Sequence, residues 1–351
     1  MDKRTITGIT VAAVLGIFPA AAFFYCTAPA GRAVMQKNGV TILQDAVNEQ
    51  TAPAQLQIFR RQFQIMGTVA AFTLYCPDEE TFKKAAAAGI KEFEKVSQLA
   101  NLYDKNSELS RLNGSAYREP FPCSYAMWQL ITRAERAFYD SNGGFDITVK
   151  PLMDLWGFYR KRRTIPSEKE IASAKMKVGF DKLKLDHARR MVSFTVKGMA
   201  LDLGGIAKGY ALDRAFEAIN ACGVTGGVLD LGGNLKLLPS PPPGKKFYTV
   251  GIKNPADPSS LLQKKLQLPG NSAVSTSGDY ERFVIIDNRR YGHIIDPRTG
   301  FPAPANAVTV TTTSAMDADI FSTTAYLENQ KGADKLKANF PGTEFYFTPG
   351  K

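Results

Sequence analysis

Two spacings of apolar residues divide this chain into elements. The pattern from Leu56 to Tyr75 predicts two strands around Met66-Gly67-Thr68. Pro77-Asp78 then opens a helical period: Phe82, Ile90, Phe93, Val96 and Leu99 recur on one face and predict a long helix through about Leu102. The run NLYDKNSELSRLN predicts a turn into a short helix. A further helix, about Tyr125 to Tyr139, is stopped by Asn142-Gly143-Gly144. Phe145 to Thr148 reads as a short strand, Pro151 to Tyr159 carries two core aromatics (Trp156 and Phe158), and Ser167 to Met176 reads as a capped helix. Phe180 to Leu203 alternates like a hairpin turning near Asp186 to Arg190, with His187 as an exposed turn residue.

The second half continues in the same manner. A strand is expected to end at Leu203, followed by a glycine turn and a helix within ALDLGGIAKGYALDRA, Ala200 to Ala215. The strand-turn pattern repeats at Gly226 to Asn234. Strands are expected at about Tyr248 to Ile252, Lys264 to Leu268 and Ala273 to Asp287, with a hairpin through Asn288. Val308 to Thr312 reads as a strand and Ala315 to Glu328 as a helix. Interspersed strands and helices with many hairpin links predict an α+β fold, mainly antiparallel sheets packed against helices. Domain organisation is expected as a signal peptide or N-terminal membrane anchor at 1–30, a linker or loose helix at 31–55, and one catalytic body at 56–351.

The N-terminal expectation rests on charge. Lys3 and Arg4 precede an uncharged run that lasts to Arg32, and its apolar part, roughly Ile6 to Cys26, has the length of a membrane span. Ala28-Pro29-Ala30 suits a cleavage site, and the positive-inside bias places the body on the outer, periplasmic side of a bacterial inner membrane. The net charge of +11 comes partly from Arg160 to Arg163 and from Arg189-Arg190. No nucleic-acid motif accompanies these charges, so a solvated or membrane-facing patch is expected rather than nucleic acid. Cys76, Cys123 and Cys222 show no metal-ligand spacing, and a Cys76–Cys123 disulfide is left open.

Three stretches carry chemistry. YGHIIDPRTGFP, Tyr291 to Pro302, sets His293 and Asp296 on a stiff turn, either as a general base with a carboxylate partner or as plain turn-capping residues. The Gly204-Gly205 turn before a helix can cradle phosphate, with Lys208 adding charge, or can serve packing alone; it matches neither a dinucleotide fingerprint nor a P-loop. Asp319 and Thr323 lie four apart on one helix face and suit Mg²⁺, although an Asp there also meets the helix macrodipole.

Taken in order, the motifs resemble the ApbE family of FAD:protein FMN transferases. They are M-G-T at Met66 to Thr68, Y-D-x-x-S-x-L-S at Tyr103 to Ser110, G-G-x-D-I-T at Gly143 to Thr148, and D-L-G-G-I-A-K-G-Y at Asp202 to Tyr210. D-L-G-G-N at Asp230 to Asn234, T-S-G-D-Y-E-R at Thr276 to Arg282, H-I-I-D-P-x-T-G at His293 to Gly300 and A-D-x-x-S-T at Ala318 to Thr323 complete the set. The resemblance implies a T-fold-like architecture in which FAD is substrate and Mg²⁺ bridges its pyrophosphate. It implies His293 as general base, Asp296 and Thr299 orienting the site or meeting the phosphates, and Met66, Tyr103, Asp146, Asp202, Lys208, Asp230 and Thr276 around FAD. Asp319, Thr323 and the Gly205 carbonyl become the metal ligands, Gly205 standing where the family usually has Ala. The implied acceptor is a Thr or Ser of an exported flavoprotein subunit of a membrane redox complex, of the NADH:quinone reductase or Rnf type. An FAD pyrophosphatase and a non-enzymatic exported FAD-binding protein are the other readings of the same residues.

Overall fold

The computed structural model describes residues 32–37, 40–45, 56–158, 162, 164–252, 264–278, 283–304 and 306–349. Seven helices order the description: α1 (Glu79–Ala100), α2 (Glu108–Ser115), α3 (Tyr125–Asp140), α4 (Lys150–Trp156), α5 (Glu168–Lys175), α6 (Ala207–Ala221) and α7 (Ala315–Asn339). Five of them start on a side-chain oxygen that accepts a free N–H of the first turn: Asp78, Ser107, Ser124, Ser167 and Ser314. At Ser167 the reciprocal bond from Glu170 makes a full capping box.

A seven-stranded sheet forms the middle layer. Its order is Glu344–Pro349, Asn306–Thr312, Ala273–Gly278, Asn234–Leu237, Gly226–Leu231, Thr68–Cys76, Gln57–Ile65, and every neighbouring pair is antiparallel. One face, with Phe72, Leu74, Leu229, Leu231, Val308 and Val310, packs against α1, α6 and α7 through Phe93, Ile219 and Phe321. The other face, with Val228, Leu235, Leu237 and Val274, meets Tyr248, Val250, Ile252, Leu266 and Leu268 of a second antiparallel sheet. A third cluster, built on Leu152, Trp156, Ile171, Val284, Ile286 and Ile295, lies beneath the His293 turn. The fold is α+β with antiparallel sheets against helices, as the pattern predicts.

Local differences from the sequence expectation have physical causes. Arg32–Lys37 and Val40–Asp45 pair as a hairpin and extend the second sheet through Val40–Ile42 against Val250–Ile252, where composition predicts a loose linker. Asn38-Gly39 between them is a strong hairpin signal that outweighs the polar composition. The remainder of 31–55, and the expected signal or anchor at 1–30, lie outside the described residues.

Phe145 to Thr148 is not a strand. Asp146 caps a 3₁₀ turn over Ile147–Val149, its Oδ1 accepting the Thr148 N–H at 2.8 Å, so the side chain takes the backbone donor a strand would need. Leu201 to Leu203 joins no sheet. The Asn113 side chain takes both backbone groups of Leu201, donating to its carbonyl at 2.9 Å and accepting its N–H at 2.7 Å. Cys76, Cys123 and Cys222 are all free thiols, so the Cys76–Cys123 pair does not form; burial pushes Cys76 up to about 11 and Cys123 up to about 12. No described helix is long and apolar enough to cross a membrane.

Candidate active site

A cleft of about 660 Å³ opens where the sheet, α6, α7 and the His293 turn converge. Its lining draws on segments distant in sequence: the Met66–Thr68 turn, Tyr103, Gly144–Ile147, Asp202–Gly205, Lys208, Thr276-Ser277, His293–Ile295, Asp319 and Thr323. Met66 holds a left-handed backbone (φ 51°) at the tip of its hairpin, and Tyr103 is 72% exposed at the rim, a flat aromatic surface on the cleft's lining.

Asp319 lies at the base and is nearly fully buried. Its Oδ1 accepts from Asn234 Nδ2 at 2.8 Å and faces Lys208 Nζ at 3.6 Å, while Oδ2 accepts the Gly209 N–H at 3.0 Å. Ser275 Oγ holds Asn234 in place through a 2.9 Å bond to Asn234 Oδ1. One turn on, Thr323 Oγ1 lies 3.3 Å from Ser277 Oγ and 3.3 Å from the Asp319 carbonyl oxygen. Gly205 comes beside it: a Cβ built on Gly205 would lie 3.4 Å from Thr323 Oγ1. Asp202 shapes the glycine turn, Oδ1 accepting the Gly204 N–H at 2.7 Å.

Helix α7 carries Asp319 and Thr323, and its N-terminus is fastened by a second carboxylate. Asp213 of α6 accepts from the Ala315 and Met316 N–H groups at 3.0 Å each and from Ser314 Oγ at 3.1 Å. Buried Lys236 neutralises it at 3.1 Å. Gly209 allows the approach: a Cβ there would fall 2.6 Å from the Ala315 carbonyl carbon and 2.6 Å from Met316 Cα.

Elsewhere in the lining, burial pushes Asp146 up to about 6, against the pull of its bonds to Thr148. His293 lines the cleft at the start of a turn closed by the Gly300 N–H to the Asp296 carbonyl at 2.8 Å. Gly300 needs its φ of +83°, and Trp156 Nε1 donates to its carbonyl at 2.8 Å.

Most of the residues singled out in the sequence thus share one cleft: Met66, Tyr103, Asp146, Asp202, Gly205, Lys208, Thr276, His293, Asp319 and Thr323. Three stand behind its wall. Asp230 accepts the Gly233 N–H at 2.8 Å and supports the Gly232 turn that lines the cleft. Asp296 binds Arg298 Nε at 2.9 Å and NH2 at 2.8 Å; burial raises its carboxyl, but these bonds outweigh it and hold the group below the usual carboxylate range. Thr299 Oγ1 accepts the Phe301 N–H at 3.2 Å within the turn. Sequence reasoning missed Asn234, Ser275, Ser277, Gly209, Asp213 and Lys236. Asn234, Ser277, Gly209 and Asp213 stand inside quoted stretches, where the signal lay; Ser275 and Lys236 depend on the fold.

The side-chain donors suit a hard cation: one buried carboxylate and one hydroxyl, both oxygen, with the Gly205 backbone beside the hydroxyl. Among the described residues no three His, Cys, Asp or Glu side chains gather as a metal cluster.

The model of one protein family, described as the ApbE family, matches residues 66–347. The chain belongs to the ApbE family. A relative from Klebsiella pneumoniae, named FAD:protein FMN transferase, is 31% identical over 279 residues, 78% of this chain and 84% of that one. The solved ApbE protein of Thermotoga maritima superposes with a TM-score of 0.75 at 29% identity, covering 83% of this chain and 94% of its own. The flavin transferase ApbE of Vibrio cholerae gives 0.70 at 26%, covering 84% and 97%. The ApbE match takes in every residue singled out above, from Met66 to Thr323.

Proposed function

We propose that this chain is a Mg²⁺-dependent FAD:protein FMN transferase. The reading is carried by one observation: His293, Lys208, Asp319, Thr323 and Gly205, from three segments distant in sequence, line a single cleft. Relatives bearing that activity's name support the same conclusion.

Asp319, Thr323 and the Gly205 carbonyl would hold Mg²⁺. Bound there, the ion neutralises pyrophosphate charge, which is most of what a phosphoryl displacement asks of its enzyme. The chain's own groups do the rest. Lys208 brings a second positive charge to the same carboxylate and faces the phosphates. Met66 and Tyr103 give apolar and flat surfaces to the rings. His293 accepts the proton of an acceptor Thr or Ser hydroxyl as its oxygen attacks the phosphorus on the FMN side. The new P–O bond is a phosphoester to the acceptor, the bridging P–O bond breaks, and AMP leaves with the pair of electrons. Asp296 and Thr299 act through the turn that presents His293. The acceptor is an exported flavoprotein subunit of a membrane redox complex, NADH:quinone reductase or Rnf type, met on the periplasmic side of the inner membrane to which the N-terminal apolar run directs or anchors the chain.

His293→Ala tests this assignment. FAD binding, read by quenching of flavin fluorescence, stays within about twofold while transfer falls by about a hundredfold or more. Near-normal transfer by the variant removes His293 from the mechanism.

A further inference from the structure

The turn that presents His293 is tied to the rest of the cleft by charges that lie outside it. Asp296 grips the Arg298 guanidinium through both oxygens, and the third face of that guanidinium, NH1, meets Glu328 of α7. An Arg fork shared between two carboxylates fixes direction as well as distance.

Glu328 stands at a junction. Its neighbour Leu327 lines the cleft. Its carboxylate presses on Gly144, where a Cβ would lie 2.6 Å from Glu328 Oε1 and 3.3 Å from its carboxyl carbon. Gly144 begins the wall that carries Asp146. Immediately after Glu328, α7 leaves helical geometry at Asn329 (φ 57°, ψ −155°), a backbone region used almost only by glycine. The far side of the His293 turn is held separately, by Lys175 Nζ on the Arg298 carbonyl at 2.6 Å and by Trp156 on Gly300. Three cleft-lining segments therefore meet at one ion pair that spans 30 positions of sequence.

We propose that Glu328, acting through Arg298 and Asp296, is a positioning residue that sets the His293 turn against the Asp146 wall. The role rests on the flavin-transferase reading, and neither Glu328 nor Arg298 touches the cleft itself. A surface ion pair used only for stability would contribute little. A latch that ties the turn of the base to the Gly144–Asp146 segment instead controls where the imidazole stands relative to the acceptor hydroxyl, and displacement of order 1 Å there is felt strongly in turnover.

The test compares Glu328→Gln and Arg298→Lys with the full-length wild type by two readouts. Amide hydrogen exchange needs no turnover: in Glu328→Gln, residues 293–302 exchange roughly threefold faster or more, with Thr68–Cys76 unchanged. In transfer assays kcat falls about tenfold with FAD affinity within about twofold, and Arg298→Lys, which keeps the charge, retains part of the rate. Unchanged exchange at 293–302 overturns the latch. Faster exchange with unchanged kcat overturns the positioning role, as does an equal fall in kcat and FAD affinity with a general rise in exchange. A wild type that transfers no FMN defeats the flavin-transferase reading, while the exchange result still decides the latch.

Discussion

Gly209→Ala is the sharpest probe of how the base of the cleft is built. The added methyl group would meet the Ala315 carbonyl carbon and Met316 Cα at 2.6 Å each. These are backbone atoms, and ordinary carbon contacts need about 3.5 Å, so α6 and the α7 N-terminus must separate by roughly 1 Å. The same residue donates its N–H to Asp319 Oδ2 at 3.0 Å, a bond that stretches with the separation. Overpacking of this kind costs about 1–3 kcal/mol, and a weakened bond to a buried carboxylate adds to it, giving about 2–4 kcal/mol together. For a chain of this size the Tm falls by roughly 3–5 °C. Activity should suffer more than stability implies. Asp319 moves relative to Gly205 and Lys208, and the Asp213 bonds that hold the start of α7 stretch by the same displacement; a misplacement near 1 Å can cost about a hundredfold. The assay pairs thermal unfolding with transfer rates well below the variant's Tm. A Tm within about 2 °C of wild type, or a variant destabilised as expected yet transferring FMN at near-wild-type rate, refutes the reasoning.

Three further outcomes follow from the geometry. Asp319→Ala loses Mg²⁺-dependent turnover; undiminished activity that still vanishes with EDTA would place the ion on other ligands. Asp146 has a folded pKa of about 6, raised from 3.8, so the folded state keeps a proton that the unfolded state releases; wild-type stability falls as pH rises between those values, and relative to wild type Asp146→Asn gains up to about 3 kcal/mol across that window and nothing more above it. A flat difference in denaturant midpoints from pH 4 to 7 contradicts the raised value. Asn329→Gly removes the cost of a glycine-like backbone and raises stability by about 1 kcal/mol, with the Glu328 latch intact; a lower Tm shows that the Asn side chain matters more than its backbone.

How much of this was legible in the sequence depends on range. Where a residue's conformation is set by its near neighbours, the pattern sufficed: the caps of α1 and α5, the hairpin at Met66-Gly67, and the turn after His293. The motifs also assembled most of the cleft, since Asp202, Gly205, Lys208, His293, Asp319 and Thr323 all line it. Local pattern failed where a distant side chain decided the backbone. Asn113 satisfies Leu201 in place of a neighbouring strand, and no window around Leu201 contains that information. For Asp296 the sequence leaves a base's partner and a turn cap both open; its oxygens are taken by the Arg298 backbone and guanidinium, whose placement also depends on Glu328 from another helix. Asn234 and Ser275 orient Asp319 across 85 and 44 positions, a relation that exists only once the sheet has formed. The Asp146 turn is different: its Asx bond is local, and the apolar residues Phe145 and Ile147 around it masked the signal.

The central claim is that FMN moves from FAD to a hydroxyl of another protein in this cleft. Mass spectrometry of a Thr-containing acceptor peptide incubated with the purified chain, FAD and Mg²⁺ tests it most directly. The account predicts a mass gain equal to FMN on the Thr, with one AMP released per modified peptide. Free FMN and AMP with unmodified peptide, across acceptors drawn from exported flavoprotein subunits, would instead make water the acceptor and the chain a pyrophosphatase, and FAD bound but never consumed would contradict an enzyme altogether.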